Sequence, residues 1–147
     1  MLENVPPRAL ELFDTGLYCS ESVLLAMAEA RGVRSDLIPR IATGLGAGMG
    51  TTGGMCGAVS GAILGIGMVR GRDTGDQPVE PTFALVCALT SAFAASHGST
   101  RCPDLIECDL STTEGQRIFA QEHRGERCRG YVVDAARIAE ELLSQAP

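Results

Sequence analysis

Apolar positions in this chain recur every three to four residues, and no window sustains the alternation of a half-buried strand, which predicts an all-α protein. Pro6-Pro7 opens a short helix over about Arg8–Phe13, which Gly16 breaks. A second helix is expected over about Tyr18–Arg31, where Cys19, Val23, Ala26 and Ala30 share one face and Gly32 ends the run. Ser35 is placed to cap a third over about Asp36–Thr43, with Pro39 assigned to its first turn. The run Gly44-x-Gly46-x-Gly48-Met49-Gly50-x-x-Gly53-Gly54-x-Cys56 then reads as a Gly-rich loop leading into a central helix that reaches about Arg70. Within that helix Gly57, Gly61 and Gly65 recur every four residues with Ala58 and Ala62 beside them, a stripe that lets another helix approach at backbone distance. Polar Arg70–Pro81 is expected to be an exposed loop, and Phe83–Ser96 a buried helix containing Cys87 and ended by Gly98. Cys102-Pro103 marks a short helix with Cys102 at or beside its N-cap, and Ser111-x-x-Glu114 is a capping-box signature for another. The last long helix is expected over about Gly125–Ser144, with Cys128, Val132, Ala135, Ile138 and Leu142 on one side. The expected architecture is a compact bundle of about five to seven helices forming a single domain over residues 1–147.

Two uncharged runs, Ile41–Val69 and Pro81–Thr100, are long enough to span a bilayer. The first is interrupted by glycines in a segment whose backbone groups would go unpaired in lipid, and the second carries Thr82, Thr90, Ser91, Ser96, His97 and Ser99. Both are therefore assigned to core helices, with no membrane partner. Composition agrees: 147 residues with 45% hydrophobic and 20% charged content suit one globular domain, which at this size buries about 68–70% of its unfolded surface. The net charge of −6 repels phosphate backbones and demotes nucleic-acid binding. All twelve basic residues are arginine, and the lack of lysine removes P-loop nucleotide sites, Schiff-base chemistry and pyridoxal-phosphate enzymes together. The acidic, non-apolar start at Met1-Leu2-Glu3 is no secretory signal, so a reducing cytoplasm is expected, where cysteines serve metal ligation or thiol redox rather than structural disulfides.

Six cysteines carry the candidate chemistry: Cys19, Cys56, Cys87, Cys102, Cys108 and Cys128. Gly48-x-Gly50-x-x-Gly53 matches a dinucleotide fingerprint only literally, since no strand or βαβ unit surrounds it. The loop is expected to gather backbone N–H groups at a helix N-terminus, where Cys56 would be stabilised as thiolate; a small buried cysteine among packing glycines is the alternative. Cys102 shares that electrostatic advantage. Cys19 and Cys128 point inward on separate helices, either as core filler or as members of one site. Zinc is a competing occupant: Cys102, Cys108, His123 and Cys128 have ligand chemistry, but no CxxC pair or zinc-finger spacing occurs. Haem c attachment and the serine-hydrolase GxSxG pattern are both absent. Cys87 reads as packing, Cys108 is ambiguous, and His97 and His123 read as capping or exposed residues.

In order, Phe13-x-x-Gly16-x-x-Cys19-x-x-x-Val23-Leu24, the Ala42–Ala62 stretch with Cys56-Gly57-Ala58-x-x-Gly61, then Cys102-x-x-Leu105 and Cys128 in a final helix closely resemble the redox-active proteins named for their C_GCAxxG_C_C pattern. The resemblance spans about residues 9–143. It implies a small helical cytoplasmic protein whose functional set is Cys19, Cys56, Cys102 and Cys128, with Cys87 and Cys108 outside it. The family is also similar to the iron–sulfur portion of split-Soret cytochromes, which suggests a cluster on these four cysteines, with Gly53, Gly54, Gly57, Ala58 and Gly61 as cofactor-binding positions and loop amides hydrogen-bonding to sulfur. The expected function is that of an electron carrier or oxidoreductase working with a redox partner protein. The alternative is a helical protein that holds structural zinc or cycles its thiols without a cluster. The glycine stripe packs either within the subunit or in a homodimer.

Overall fold

A computed structural model describes residues 2–147 and contains seven right-handed α-helices among them, with no β-sheet. The first, α1 (Val5–Asp14), takes Pro6-Pro7 into its first turn and buries Val5, Ala9 and Leu12 at helical spacing. Then α2 (Cys19–Ala30) is buried along nearly all its length, and Glu21 accepts the Tyr18 N–H at 2.8 Å at its N-terminus. The helix α3 (Gly57–Arg70) packs most extensively against α2. A Cβ at Gly61 would stand 2.5 Å from the Ser20 carbonyl oxygen, and one at Gly65 would stand 2.3 Å from Met27 Sδ. The small-residue stripe therefore serves packing within the chain. After α4 (Glu80–His97) and the short α5 (Cys102–Ile106) come α6 (Thr113–Gln121) and α7 (Gly125–Gln145). The core lies where α1, α2, α3 and α7 meet around Val23, Met27, Val59, Ile66, Val132 and Ala139.

Three expectations are corrected. The helix placed over 36–43 does not form; turns lead instead into a 3-10 segment, Arg40–Leu45. With Ser35 as cap, Pro39 would have been the fourth helical residue, the first whose N–H must bond within the helix, and Ile38 before it is biased away from helical dihedrals. Ser35 Oγ accepts from the Leu37 N–H at 3.1 Å, and Leu37 and Ile41 are left exposed. The helix expected to be buried around Cys87 forms as α4 but buries only Leu89 and Phe93; Phe83 and Cys87 face outward. The capping residue of α6 is Thr112, whose Oγ1 accepts from the Gly115 N–H at 2.9 Å. Ser111 is held elsewhere, its N–H donating to Asp109 Oδ1, and Glu114 pairs with Arg117. Among the described residues no helix is long and apolar enough to cross a membrane.

Candidate functional site

The Gly-rich segment is no irregular loop. Ala47 (φ 53°, ψ 42°), Gly48 (67°, 56°), Met49 (62°, 55°) and Gly50 (65°, 40°) form one turn of left-handed helix, and Thr51 continues it at φ 70°. Left-handed conformation costs a non-glycine residue roughly 1–2 kcal/mol, so the alternating glycines relieve about half the turn and Ala47, Met49 and Thr51 hold the strain. The Gly48 carbonyl anchors the turn by accepting from the N–H groups of Thr52 and Gly54 at 3.2 and 3.0 Å. At Gly48 a side chain has no room: its Cβ would lie 2.6 Å from Cys102 Cβ. The turn is thus shaped to fit against one of the cysteines.

Four cysteines come to one place from four helices, each at or near a helix start. Cys19 is the first residue of α2, Cys56 the N-cap of α3, Cys102 the first residue of α5, and Cys128 lies in the first turn of α7. A two-residue antiparallel pairing fixes two of them. Cys56 donates its N–H to the Thr100 carbonyl at 2.7 Å and Cys102 to the Gly54 carbonyl at 2.9 Å, on either side of the Met55–Arg101 bridge. A Cβ at Gly57 would stand 2.3 Å from Cys19 Sγ, so this glycine admits the first thiol beside the second.

All four cysteines line one open cavity of about 740 Å³. The chain has only six aromatic residues, and four of them, Phe13, Tyr18, Phe119 and Tyr131, wall it. Tyr131 is held by its hydroxyl, which donates to the Leu105 carbonyl at 2.9 Å, and by edge contacts with Phe93 and His97. His97 pairs with Asp134 at 2.8 Å, while His123 is exposed at the cavity wall. At the rim Arg129 pairs with Asp14.

The positions expected to contact a cofactor have the following partners within the chain. Gly53 accepts from Arg101 through its carbonyl at 3.3 Å, and Gly54 bonds to Gly48 and Cys102. Gly57 clears Cys19, Gly61 clears the Ser20 backbone, and the Ala58 amide favours the thiolates of both Cys19 and Cys56. The Ala47 amide in the left-handed turn acts on Cys19 in the same way, a role that sequence reasoning did not assign.

The electrostatics reverse one expectation. Cys56 and Cys102 sit at helix starts, yet neither thiol is acidified: burial pushes both up, Cys102 to about 11, and the neighbouring Cys19 adds to each. Cys128 is pushed up to about 12 by burial and then by Cys19 and Cys102, and burial raises Cys19 as well. Desolvation of the charged form outweighs the amide dipoles here; next in strength are the Ala47 and Ser20 amides at Cys19 and neighbouring thiols at Cys56, Cys102 and Cys128, with no guanidinium among them. Among the described residues no three Cys, His, Asp or Glu side chains stand close enough together to hold one metal ion. Cys87 lies away from the cavity on the exposed side of α4, and Cys108 lies beside Cys102 at a separate small void.

A family model described as "Putative redox-active protein (C_GCAxxG_C_C)" matches residues 17–142. No curated protein and no solved structure matches the chain.

Proposed function

We propose that this chain, which belongs to the C_GCAxxG_C_C family of redox-active proteins, holds an iron–sulfur cluster on Cys19, Cys56, Cys102 and Cys128 and exchanges electrons with a redox partner protein through it. The observation that carries the reading is that four thiols borne by four helix starts line a single cavity. Four cysteine sulfurs are the ordinary ligand set of [2Fe–2S] centres, two to each iron, and of [4Fe–4S] centres, one to each iron.

The charge arrangement points the same way. The thiols of Cys19, Cys56, Cys102 and Cys128, raised above their ordinary range chiefly by burial, are neutral at neutral pH, which slows exchange among the four unless an activated disulfide is presented to one of them. A bound cluster would hold the four sulfurs as thiolates, their protons released to solvent and their charge offset in part by the iron. When bound, a cluster supplies one-electron exchange; the rest is the work of the chain. The starts of α2, α3 and α7 each present the positive end of a helix dipole, and the amides of Ala47, Ala58 and Val59 face sulfur, so negative charge on the site is stabilised without a cation. Phe119 and Tyr131 give the wall an apolar surface.

The test is anaerobic purification followed by a visible absorption spectrum with iron and sulfide analysis of the same sample. Broad absorption that bleaches with dithionite, with iron and sulfide in comparable amounts, is the expected result. Cys56→Ser is expected to abolish the chromophore and Cys87→Ser to leave it intact. A colourless protein carrying zinc, or four titratable thiols and no metal, would overturn the reading.

A further inference from the structure

Cys108 belongs to no motif and stands outside the main cavity, yet its surroundings are unlike those of Cys87. It shares with Cys102 the wall of a separate void of about 10 Å³, closed by Ala47, Gly53, Pro103 and Leu110. A void of that size holds at most one water, so both cysteines border one narrow gap that no side chain fills. Chain geometry brings this about. The helix α5 is only five residues long, and Glu107 ends it in the left-handed region (φ 54°, ψ 40°), which turns the chain back before Cys108.

Two arginines from the start of α7 hold that turn in place. Arg124 donates to the carbonyls of Ile106 and Glu107 at 2.8 and 2.7 Å, and Arg127 donates to the Glu107 carboxylate at 2.9 Å. Cys108 is half-buried, whereas Cys19 and Cys56 are only 8% and 6% exposed. A reagent from solvent therefore meets Cys108 before it meets the deeper members of the four-cysteine set.

We propose that Cys108 is a redox-sensitive partner of Cys102, and that the two close a disulfide which withdraws Cys102 from the four-cysteine centre. The regulatory consequence rests on the cluster reading above; the disulfide itself does not. The reaction takes a small-molecule disulfide as oxidant. The Cys108 sulfur attacks one sulfur of the reagent, whose S–S bond breaks as one half leaves as a thiol carrying a proton. The Cys102 sulfur then attacks Cys108 in the mixed disulfide, and the second half leaves as a thiol with the second proton. Two electrons pass from the cysteine pair to the reagent, and a dithiol reductant reverses both steps. A cysteine in a disulfide cannot ligate iron, so an oxidised pair blocks assembly of the centre until it is reduced.

The test uses the metal-free full-length protein, incubated with excess oxidised glutathione, alkylated and digested with trypsin. Cys102 and Cys108 fall on one tryptic peptide, ending at Arg117, so the expected product is that peptide unalkylated and short of two hydrogens. Cys87 in the same sample is expected to carry glutathione, because it has no neighbouring thiol. In Cys108→Ser, Cys102 is expected to be alkylated instead. Glutathione retained on Cys108, or a link from either residue to the Cys128 peptide, would overturn the proposal, and the wild-type map decides it even where the variant fails to fold. Reconstitution of the oxidised protein with iron and sulfide tests the consequence: incorporation at least tenfold below that of the reduced protein is expected, and equal incorporation would refute the block. Failure of the reduced protein to take up iron would count against the cluster and leave the disulfide map standing.

Discussion

Thr51 carries the clearest local strain in the molecule, a β-branched residue at φ 70° on the exposed end of the left-handed turn. Replacing it with glycine removes a steric cost of roughly 1–2 kcal/mol and adds some unfolded-state entropy, so Thr51→Gly is expected to raise stability by about 1 kcal/mol, read as a higher urea midpoint at unchanged slope. The glycines of α3 give a sharper contrast. At Gly57 a methyl group would collide with Cys19 Sγ, whereas nothing lies within 4 Å of one at Gly67. Gly57→Ala is therefore expected to cost about 1–3 kcal/mol and to lower bound iron, while Gly67→Ala, in an unobstructed helix interior, is expected to stabilise by up to about 1 kcal/mol and leave iron content unchanged. Matched losses of iron in both would show that Gly57 acts through helix flexibility rather than through room for the thiol. Sequence alone marks both residues as glycines of one helix. Only the neighbouring chain distinguishes them, because the clash at Gly57 comes from Cys19, far away in sequence.

At the scale of elements, α2 and α7 are joined by a buried ion pair. Arg31 donates two bonds to Glu140 at 2.8 Å each and a third to the Met27 carbonyl at 3.1 Å, with Glu140 only 7% exposed. Glu140→Ala leaves the partly buried guanidinium with only the Met27 carbonyl to answer its charge, and a loss of about 3 kcal/mol is expected in chemical denaturation. A loss below about 1 kcal/mol would mean that Arg31 swings out to water. The helices that define the core, α1, α2, α3 and α7, were legible because each combines a helical apolar period with a Pro or Gly boundary. Legibility failed where one local signal competed with another. Pro39 lay one position too deep for its missing N–H to be harmless, and Asp109 claimed Ser111 before it could cap. On α4 an uncharged sequence suggested burial, but an uncharged helix specifies no inward face, and only Leu89 and Phe93 are wholly covered.

For the molecule as a whole, the order Cys19, Cys56, Cys102, Cys128 was readable, but the route by which the four converge was not. Convergence depends on a left-handed turn and on a two-residue bridge between segments far apart in sequence, and neither leaves a periodic trace. The same convergence sets how the protein responds to pH. In the metal-free protein, Cys102 and Cys128 have pKa values raised to about 11 and about 12, against 9.0 for an ordinary thiol. The folded state therefore binds these protons more tightly than the unfolded state does. The stability they contribute is fully present below about pH 9 and is lost as pH rises through about 11 and 12. Metal-free protein is accordingly expected to show a urea midpoint that declines from about pH 9 upward, and a Cys102→Ser/Cys128→Ser variant to decline less. Loading the centre reverses the sign, because ligation releases thiol protons and is favoured as they become scarcer. Iron retention against a fixed chelator is expected to strengthen between about pH 6 and about pH 8, well below the range in which the metal-free fold weakens. Opposite slopes in the two forms would place the same thiols in both processes. Iron retention that ignores pH would mean that the metal is held by groups already ionised, and the carboxylates at the cavity rim, Asp14 and Glu126, would then be the residues to substitute.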